Sequence, residues 1–256
     1  MGLSVAIITY NEEKNIERTL KAVQDISDEI VIVDSGSRDR TVEICRKYGA
    51  NVIEQPWLGY GKQRNLAIEK STQEWVLNID ADEEITPELR RKIKEIIDAK
   101  EQKDVYKIKF TTVCFGKKLR HGGWSGSSHI RLFKKNSGKF NDNLVHEAFE
   151  SVGTIGTLEE EILHHSYNTL EDYFSKFNRY TTEGALDYYK KGKKTGLFQI
   201  VLNPIYKFLR MYIFRLGFLD GVEGFLIATT SAIYSMVKYF KLREIYRNGS
   251  YLDKIK

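Results

Sequence analysis

Short apolar runs alternate with amphipathic segments along the first eighty residues. The runs are rich in β-branched residues and lack strict polar alternation, which is typical of strands covered on both faces. They are Leu3–Thr9 (LSVAIIT), Ile30–Asp34 (IVIVD) and Trp75–Asp80 (WVLNID). Between the first two runs, Ile16, Leu20 and Val23 recur at helical spacing. The alternation of strand and helix predicts an α/β domain with a parallel, Rossmann-like sheet that binds its ligand at the carboxyl edge.

The pattern changes after the third run. Thr86-Pro87 predicts the start of a helix with an apolar stripe that ends near Lys100. From Tyr106 to Thr111, apolar and polar residues alternate as in an antiparallel strand with one solvated face. We therefore expect a mixed sheet. Residues 114–150 are rich in Gly, Ser, Asn and aromatic residues, and we predict functional loops there.

Charge divides the chain of 256 residues into two regions. Residues 176–256 carry 15 Lys and Arg against 6 Asp and Glu, so this basic tail holds +9 while the remainder holds −4. Aromatic, helical patterns fill the same region, with the patch KKGKK at 190–194. We predict an α/β domain over residues 1–165 and a basic, aromatic, helical region over residues 166–256.

The basic tail predicts a partner of opposite charge. Basic, aromatic and amphipathic segments suit a membrane surface that is rich in anionic lipid. A helical subdomain or a homo-oligomer interface with a charged outer face is the alternative. No RNA-binding motif occurs in the tail and the remainder is net acidic, so nucleic acid is not expected as a partner.

The N-terminal sequence and the cysteines bear on location. MGLSVAIITYNEE has no basic segment before its apolar run, so we do not expect a secretory signal. No run of eighteen uncharged apolar residues occurs, and Cys45 and Cys114 lie outside any metal-ligand spacing. We expect a cytoplasmic protein that is peripheral on the inner face of the cytoplasmic membrane.

An acidic turn follows the third strand. The segment Asn78–Glu84 (NIDADEE) places Asp80 and Asp82 two residues apart at the end of a buried run. Carboxylates in this position suit Mg²⁺ or Mn²⁺ that bridges a diphosphate. Glu83 and Glu84 are explained as an acidic lead-in to the helix that begins near Thr86.

Polar residues also follow the other strands. Asp34, at the end of the second strand, is placed to accept hydrogen bonds from a base or ribose. Lys62 and Arg64, in the segment GYGKQRN, supply cations that could neutralise phosphates. A nucleotide site at this edge of the sheet is the expected result.

The order of these motifs resembles that of the family 2 glycosyltransferases of the GT-A fold. The motifs are strand-TYNEE, strand-VDSGSRDRT, GYGKQRN and strand-DADE, within residues 1–150. The resemblance implies inverting transfer of a sugar from a UDP-linked donor. It also implies a nucleotide site and a metal site. The nucleotide-site residues are Thr9, Asn11, Glu12, Asp34, Ser35, Lys62, Arg64, Asp80 and Ala81, and the metal-site residues are Asp82 and Asp80.

An inverting transfer needs a base near the acceptor hydroxyl. The segment DNLVHEAF offers Glu147 as that base and His146 as its orienting neighbour, with Asp142 as a fallback or sugar contact. Trp124, in HGGWSGSSHIRLF, has a flat indole face suited to stacking on a sugar ring. We leave the adjacent His164 and His165 out of the metal site, because no partner for them is apparent from the sequence.

A wider set of motifs is similar to the WaaE-like lipopolysaccharide core glucosyltransferases. The set adds QPWLGYGKQRN, the HGGW segment and GFLDGVEGF. This resemblance implies UDP-glucose as donor and a lipid-linked saccharide as acceptor. A nucleotidyltransferase is the rival enzyme, but the glycine-rich phosphate loop expected after its first strand is absent here. A non-enzymatic membrane- or nucleic-acid-binding module would leave the acidic strand ends unexplained.

Overall fold

The computed structural model describes residues 1–142 and 148–247. His146 and Glu147 lie outside the described residues. The strands are β1 (Leu3–Thr9), β2 (Glu29–Asp34), β3 (Asn51–Glu54), β4 (Trp75–Asp80), β5 (Glu83–Ile85), β6 (Val105–Cys114), β7 (Lys117–Leu119), β8 (Ser128–Lys134), β9 (Gly138–Phe140), β10 (Phe149–Ser151) and β11 (Ile155–Tyr167). The helices are α1 (Ile16–Val23), α2 (Thr41–Lys47), α3 (Tyr60–Lys70), α4 (Pro87–Asp98), α5 (Leu170–Lys190), α6 (Leu197–Leu209) and α7 (Gly221–Arg247).

The chain divides into two compact units. The first comprises Met1–Thr111 and Ser127–His165, and the second comprises Thr112–Gly126 and Ser166–Lys256. Residues 112–126 thus group with the tail, although the sequence on both sides of them belongs to the first unit.

The first unit is built on a mixed sheet. Its strand order is β3-β2-β1-β4-β8-β6-β11-β5. The strands from β3 to β4 are parallel, whereas β8 is antiparallel to both β4 and β6. The register pairs Thr9 with Asp34 and Ile8 with Asp80, so the carboxyl ends of β1, β2 and β4 lie side by side. The predicted fold class, a mixed α/β sheet with flanking helices followed by a helical C-terminal region, is confirmed.

Both faces of the central strands are covered, which explains their mostly apolar sequence. On one face of β1, Leu3, Val5 and Ile7 pack in a cluster with buried residues of α1 and α4. On the other face, Ala6 packs with Ala67 of α3 and with residues of β8. Strands buried in this way are apolar at most positions, and the buried polar exceptions, Ser4 and Asn78, are hydrogen-bonded.

Two predictions about the sequence after β4 were wrong. Residues 114–150 contain β7, β8, β9 and β10 rather than loops alone. Short length and neighbouring glycines hid these strands, and in β8 the buried Arg131 interrupts the apolar pattern. The predicted helix start at Thr86-Pro87 is confirmed, but Glu83 and Glu84 before it are not a simple acidic lead-in, because they form β5, which pairs with β11.

The second unit is helical. α5 begins after Thr169, whose side chain accepts a hydrogen bond from the Asp172 amide at 3.1 Å. The Tyr173 hydroxyl donates to Thr230 Oγ1 at 2.6 Å, within a cluster that includes Cys114 and Met211. A π-helical turn, Arg210–Phe214, and a 3-10 turn, Gly217–Asp220, connect α6 to α7.

No single helix in the described part of the chain is long and apolar enough to cross a membrane. The segments Leu197–Phe214 and Gly217–Arg247 together meet the length and composition of a span, but they are bent by 71°.

Candidate functional site

The loops after β1 and β2 are joined by reciprocal hydrogen bonds. The Asn11 amide donates to Ser37 Oγ at 2.8 Å, and the Arg38 amide donates to Asn11 Oδ1 at 2.8 Å. The Glu12 amide donates to Thr41 Oγ1 at 2.7 Å. Asn11 has a φ of 54°, a left-handed conformation that Asn tolerates better than most residues. Two loops far apart in sequence thus form one rim along the carboxyl edge.

Asp34 holds the residues of this rim through hydrogen bonds. Its side chain is buried, and it accepts hydrogen bonds from Thr9 Oγ1 at 2.8 Å and from Ser37 Oγ at 2.5 Å. Its other oxygen accepts from the amides of Gly36 at 2.9 Å and Ser37 at 2.8 Å. Asp34 therefore fixes the turn after β2, and its predicted contact with a base or ribose stays a prediction.

The start of α3 closes one side of the rim. Buried Gln63 donates to Ser35 Oγ at 3.1 Å and to the Gln55 carbonyl at 3.1 Å. Gly59, just before the helix, has a φ of 97°, which favours glycine. Lys62 Nζ lies 4.0 Å from Asp142 Oδ2 on the surface.

Two buried arginines, Arg64 and Arg131, hold the acid at the end of β4. Arg64 donates to Asp80 Oδ2 at 2.8 Å and to Asn78 Oδ1 at 2.9 Å. Arg131 donates to the same two oxygens at 3.2 and 3.3 Å. Burial opposes ionisation of Asp80, but the two guanidinium groups outweigh it and hold the pKa of Asp80 well below its usual range. Asp80 is thus a fixed negative charge.

Glu83 completes this buried network. It accepts from Arg131 at 2.7 Å and from the Asp80 amide at 2.8 Å. Burial raises the pKa of Glu83 to about 7, and the neighbouring Asp80 charge adds to that rise while Arg131 opposes it. Ala81 is also buried, and its carbonyl accepts from Thr19 Oγ1 at 2.8 Å. The acidic turn is therefore held by contacts with Arg64, Arg131 and Thr19.

Asp82 faces a histidine. Its Oδ2 lies 3.2 Å from His164 Nε2, because β11 pairs with β5 and brings His164 opposite Glu83. Burial alone lowers the pKa of His164, but the Asp82 hydrogen bond and the nearby carboxylates outweigh it and raise the pKa to about 9. His165 bonds instead to Glu84 at 2.8 Å, and burial, with the Arg18 charge, lowers its pKa.

Asp82 offers carboxylate oxygens of the kind that a divalent ion prefers, and a bound ion would displace the proton that nearby carboxylates favour on His164. No group of three or more His, Cys, Asp or Glu side chains is placed to hold a metal within residues 1–142 and 148–247. A protein that binds Mg²⁺ through one or two carboxylates together with substrate phosphates does not need such a group. Asp82, with a side chain that is 20% exposed, and His164 are the residues here that could serve with a diphosphate.

Trp124 lies in the second unit. Its ring packs against Tyr167, with the ring centroids 6.1 Å apart, and its carbonyl accepts from Thr112 Oγ1 at 2.7 Å. Asp220 holds the preceding residues by accepting from the amides of Arg120 at 3.1 Å and His121 at 2.8 Å. Its Oδ1 also lies 2.9 Å from His121 Nδ1. Sugar stacking by Trp124 stays a prediction.

Sequence reasoning missed several residues of the first unit's site. They are Asn78, Glu83, Arg131 and His164. A charged residue inside an apolar run was the available signal for Arg131. No comparable local signal existed for His164, because its partner lies 82 residues earlier.

A family model and curated relatives identify the family of this chain. The model of glycosyl transferase family 2 matches residues 4–152. An uncharacterized glycosyltransferase of Rickettsia typhi is 34% identical over 254 residues, covering 95% of this chain and 87% of the relative. The lipopolysaccharide core biosynthesis glycosyltransferase LpsC of Rhizobium meliloti is 29% identical, covering 94% and 92%. The structure of S. aureus TarS 1-349 in complex with UDP is 19% identical, with a TM-score of 0.49, covering 97% and 92%.

Proposed function

Because the chain belongs to glycosyltransferase family 2, we propose that it is an inverting hexosyltransferase that transfers glucose from UDP-glucose to a lipid-linked saccharide. The observation that carries this proposal is the carboxyl edge of the sheet, where Asp82 remains partly exposed beside the fixed charge of Asp80. This edge combines a rigid polar rim with acids that can hold a divalent ion beside a nucleotide diphosphate.

The donor nucleotide is assigned to the joined loops. Thr9, Asn11 and Glu12 surround the base, and Asp34 and Ser35 contact the base or ribose from the turn after β2. Asp80 and Ala81 adjoin the ribose, with Arg64 behind Asp80 and Lys62 at the surface. Rigid loops suit this role because little conformational entropy is lost when the ligand binds.

We assign Mg²⁺ or Mn²⁺ to Asp82, with His164 as its neighbour in the site. A bound divalent ion supplies positive charge that stabilises the departing diphosphate. Asp80 is the second residue assigned to the metal site, and it also orients the turn, because Arg64 and Arg131 contact its carboxylate.

The acceptor side of the reaction is assigned from sequence. Glu147 takes the proton from the acceptor hydroxyl. The oxygen of that hydroxyl attacks the anomeric carbon of the donor sugar while UDP departs from the opposite face. His146 orients that base, and Asp142 and Trp124 contact sugar. Similarity to LpsC along nearly the whole chain supports a lipopolysaccharide core saccharide as the acceptor.

Calorimetric titration of UDP-glucose with and without Mn²⁺ tests the donor site. We expect Mn²⁺ to tighten binding, and Asp82→Asn to remove that gain, with a loss of roughly tenfold or more in affinity. Asp98→Asn, an exposed acid on α4, is the matched control. Donor binding that is the same with and without metal in wild type would contradict the metal assignment.

Activity measurements test the base. Glu147→Gln keeps the size of the side chain but cannot accept the proton, so we expect kcat to fall by about 10²–10⁴ while donor affinity is retained. Asp142→Asn should lose less. If Glu147→Gln retains full kcat on a lipid-linked saccharide, Glu147 is not the base.

A further inference from the structure

The segment from α6 to the start of α7 exposes large apolar side chains to solvent. Leu197 and Phe214 are each 75% exposed and Val222 is 78% exposed. Phe198, Ile205 and Phe225 are also about half exposed or more. A patch of this kind is uncommon on a monomeric soluble protein and marks an interaction surface.

The exposed residues of α6 form one continuous stripe, here called the apolar face. Leu197, Val201 and Ile205 recur at intervals of four residues and lie one above another on a helix. Ile200 and Pro204, on the adjoining side of the helix, are buried. The stripe carries no charged residue, so its exposure to water is unfavourable.

Cations accompany the apolar face. Lys207, at the end of α6, and Arg210 and Arg215, just after the helix, are exposed. The two acids in the same stretch are engaged elsewhere, since Asp220 pairs with His121 and Glu223 pairs with Lys117 at 3.0 Å. The surface therefore offers apolar contact together with positive charge. The patch KKGKK precedes α6 and adds to that charge.

The backbone turns sharply in the middle of this surface. Leu216 has a φ of 57°, and Gly224 lies so close to Gly217 that a Cβ atom there would overlap its carbonyl oxygen. The result is the 71° bend between the two helical segments. In a bent pair, the apolar residues near the bend can all lie at a similar depth in a membrane. In a straight helix they would instead be spread across the thickness of the bilayer.

We propose that α6 and the turn into α7 insert as a re-entrant wedge into one leaflet of a membrane that contains anionic phospholipid. Apolar side chains enter the boundary between headgroups and acyl chains, and the neighbouring cations contact lipid phosphates. A second copy of the chain is a poorer occupant, because an isologous contact would bring the same cations together. The wedge deepens the proposed function by placing the enzyme where a lipid-linked acceptor lies, but its test does not use catalysis.

A fluorophore on a single introduced thiol tests insertion in the full chain. Phe214→Cys provides the site, and Val152→Cys, at a residue that is 68% exposed in the first unit, provides the control. The native Cys45 and Cys114 are buried, and burial raises the pKa of each to about 12, so neither competes for the label. We expect a blue shift at position 214 on vesicles that contain phosphatidylglycerol, and none at position 152.

Variants separate the two contributions. Leu197→Ser with Phe214→Ser should weaken binding to these vesicles by roughly tenfold or more, whereas Val152→Ser with Ile155→Ser should not. Lys207→Gln with Arg210→Gln should weaken binding to phosphatidylglycerol vesicles but leave any residual binding to phosphatidylcholine vesicles unchanged. Alkaline carbonate should release the protein, as it does a surface-bound chain.

Three results would overturn the wedge. The first is no spectral shift at position 214 on either vesicle type. The second is a shift without vesicles that grows with protein concentration and accompanies dimer formation in ultracentrifugation, which would assign the apolar face to a second copy. The third is retention in the membrane after carbonate treatment, which would indicate a true span.

Discussion

Arg131 shows how one side chain can determine the chemistry of a strand end. It lies in the middle of β8 and reaches Asp80 and Glu83, two acids that would otherwise repel each other. Buried carboxylates without a cation are strongly destabilising, so the acidic turn depends on this guanidinium. Together with the closer Arg64, this contact keeps Asp80 ionised beside a buried glutamate.

Removing Arg131 should therefore destabilise the protein. We expect Arg131→Ala to lower the free energy of unfolding by roughly 3–5 kcal/mol, because it leaves buried negative charge uncompensated. The exposed Arg91→Ala should change it by less than about 0.5 kcal/mol. Urea unfolding followed by circular dichroism measures both. The double variant with Glu83→Gln should recover part of the loss, and an Arg131→Ala value near that of Arg91→Ala would contradict the assignment.

Asp104 offers a test of pH dependence away from the site. Hydrogen bonds from the amide and hydroxyl of Thr154, with Lys134 nearby, lower the pKa of Asp104 to about 2. A carboxyl whose pKa is lower in the folded state stabilises the fold above its unfolded pKa of about 3.9, and that contribution is lost as the pH falls toward 2.

Asp104→Asn should therefore flatten the loss of stability on acidification. Urea midpoints measured from about pH 5 down to about pH 2 should fall less steeply in the variant than in wild type. Asp98→Asn, at an exposed position on α4, is the control and should follow the wild-type slope. Parallel slopes for Asp104→Asn and wild type would rule out this contribution.

At this scale, sequence identified residues whose role depends on near neighbours. Asp80 and Asp82 were found because they follow an apolar strand directly. His164 was set aside, since its proximity to Asp82 exists only after β11 pairs with β5. Pairing between distant strands depends on the whole sheet, and no local pattern records it.

Elements in the second unit depend on single side chains at their ends. Asp220 closes the 3-10 turn before α7 and accepts from two consecutive amides and the ring of His121. One carboxylate thus fixes the backbone that leads to Trp124. Without it, two donors would have to find water or another acceptor.

Asp220→Ala should loosen that backbone. We expect amide hydrogen exchange at Arg120 and His121 to accelerate by about tenfold or more, and the stability to fall by about 1–3 kcal/mol, because donors lose their acceptor. Glu223→Ala, which removes the neighbouring contact with Lys117, is the control and should leave these two amides protected. Unchanged exchange in Asp220→Ala would contradict this role.

Strands and helices were predicted most accurately from the sequence where they are most buried. β1, β2 and β4 are covered on both faces and carry an uninterrupted apolar signal, so their positions were predicted closely. β9 and β10 are three-residue strands that pair with each other in a separate two-stranded sheet, and their sequences contain too few residues for a periodic pattern. β8 is long enough, but its apolar pattern is broken by the arginine that the site requires.

Charge is the property of the whole molecule that composition alone revealed. The basic tail carries +9 against −4 on the remainder. Such an asymmetry orients a chain in the field of an anionic surface over about a Debye length. Salt should weaken this orientation without changing the fold.

Salt dependence should therefore distinguish two acceptors. With a lipid-linked saccharide in phosphatidylglycerol vesicles, we expect kcat/KM to fall severalfold between roughly 0.05 and 0.5 M salt, because screening weakens surface binding. With a soluble saccharide fragment it should change little. Equal salt dependence for both acceptors would place the effect in the reaction site instead of in the tail.

The grouping of residues 112–126 with the tail limits how related genes can recombine and still encode a folded protein. Cys114 and Leu119 pack with Met211 and Ile227, which lie some hundred residues later. A single genetic crossover near residue 165 would bring a new tail into contact with an old loop and leave that small core mismatched. Exchange of tails among relatives therefore requires two crossovers, so the loop and the helices are expected to evolve as one inherited block.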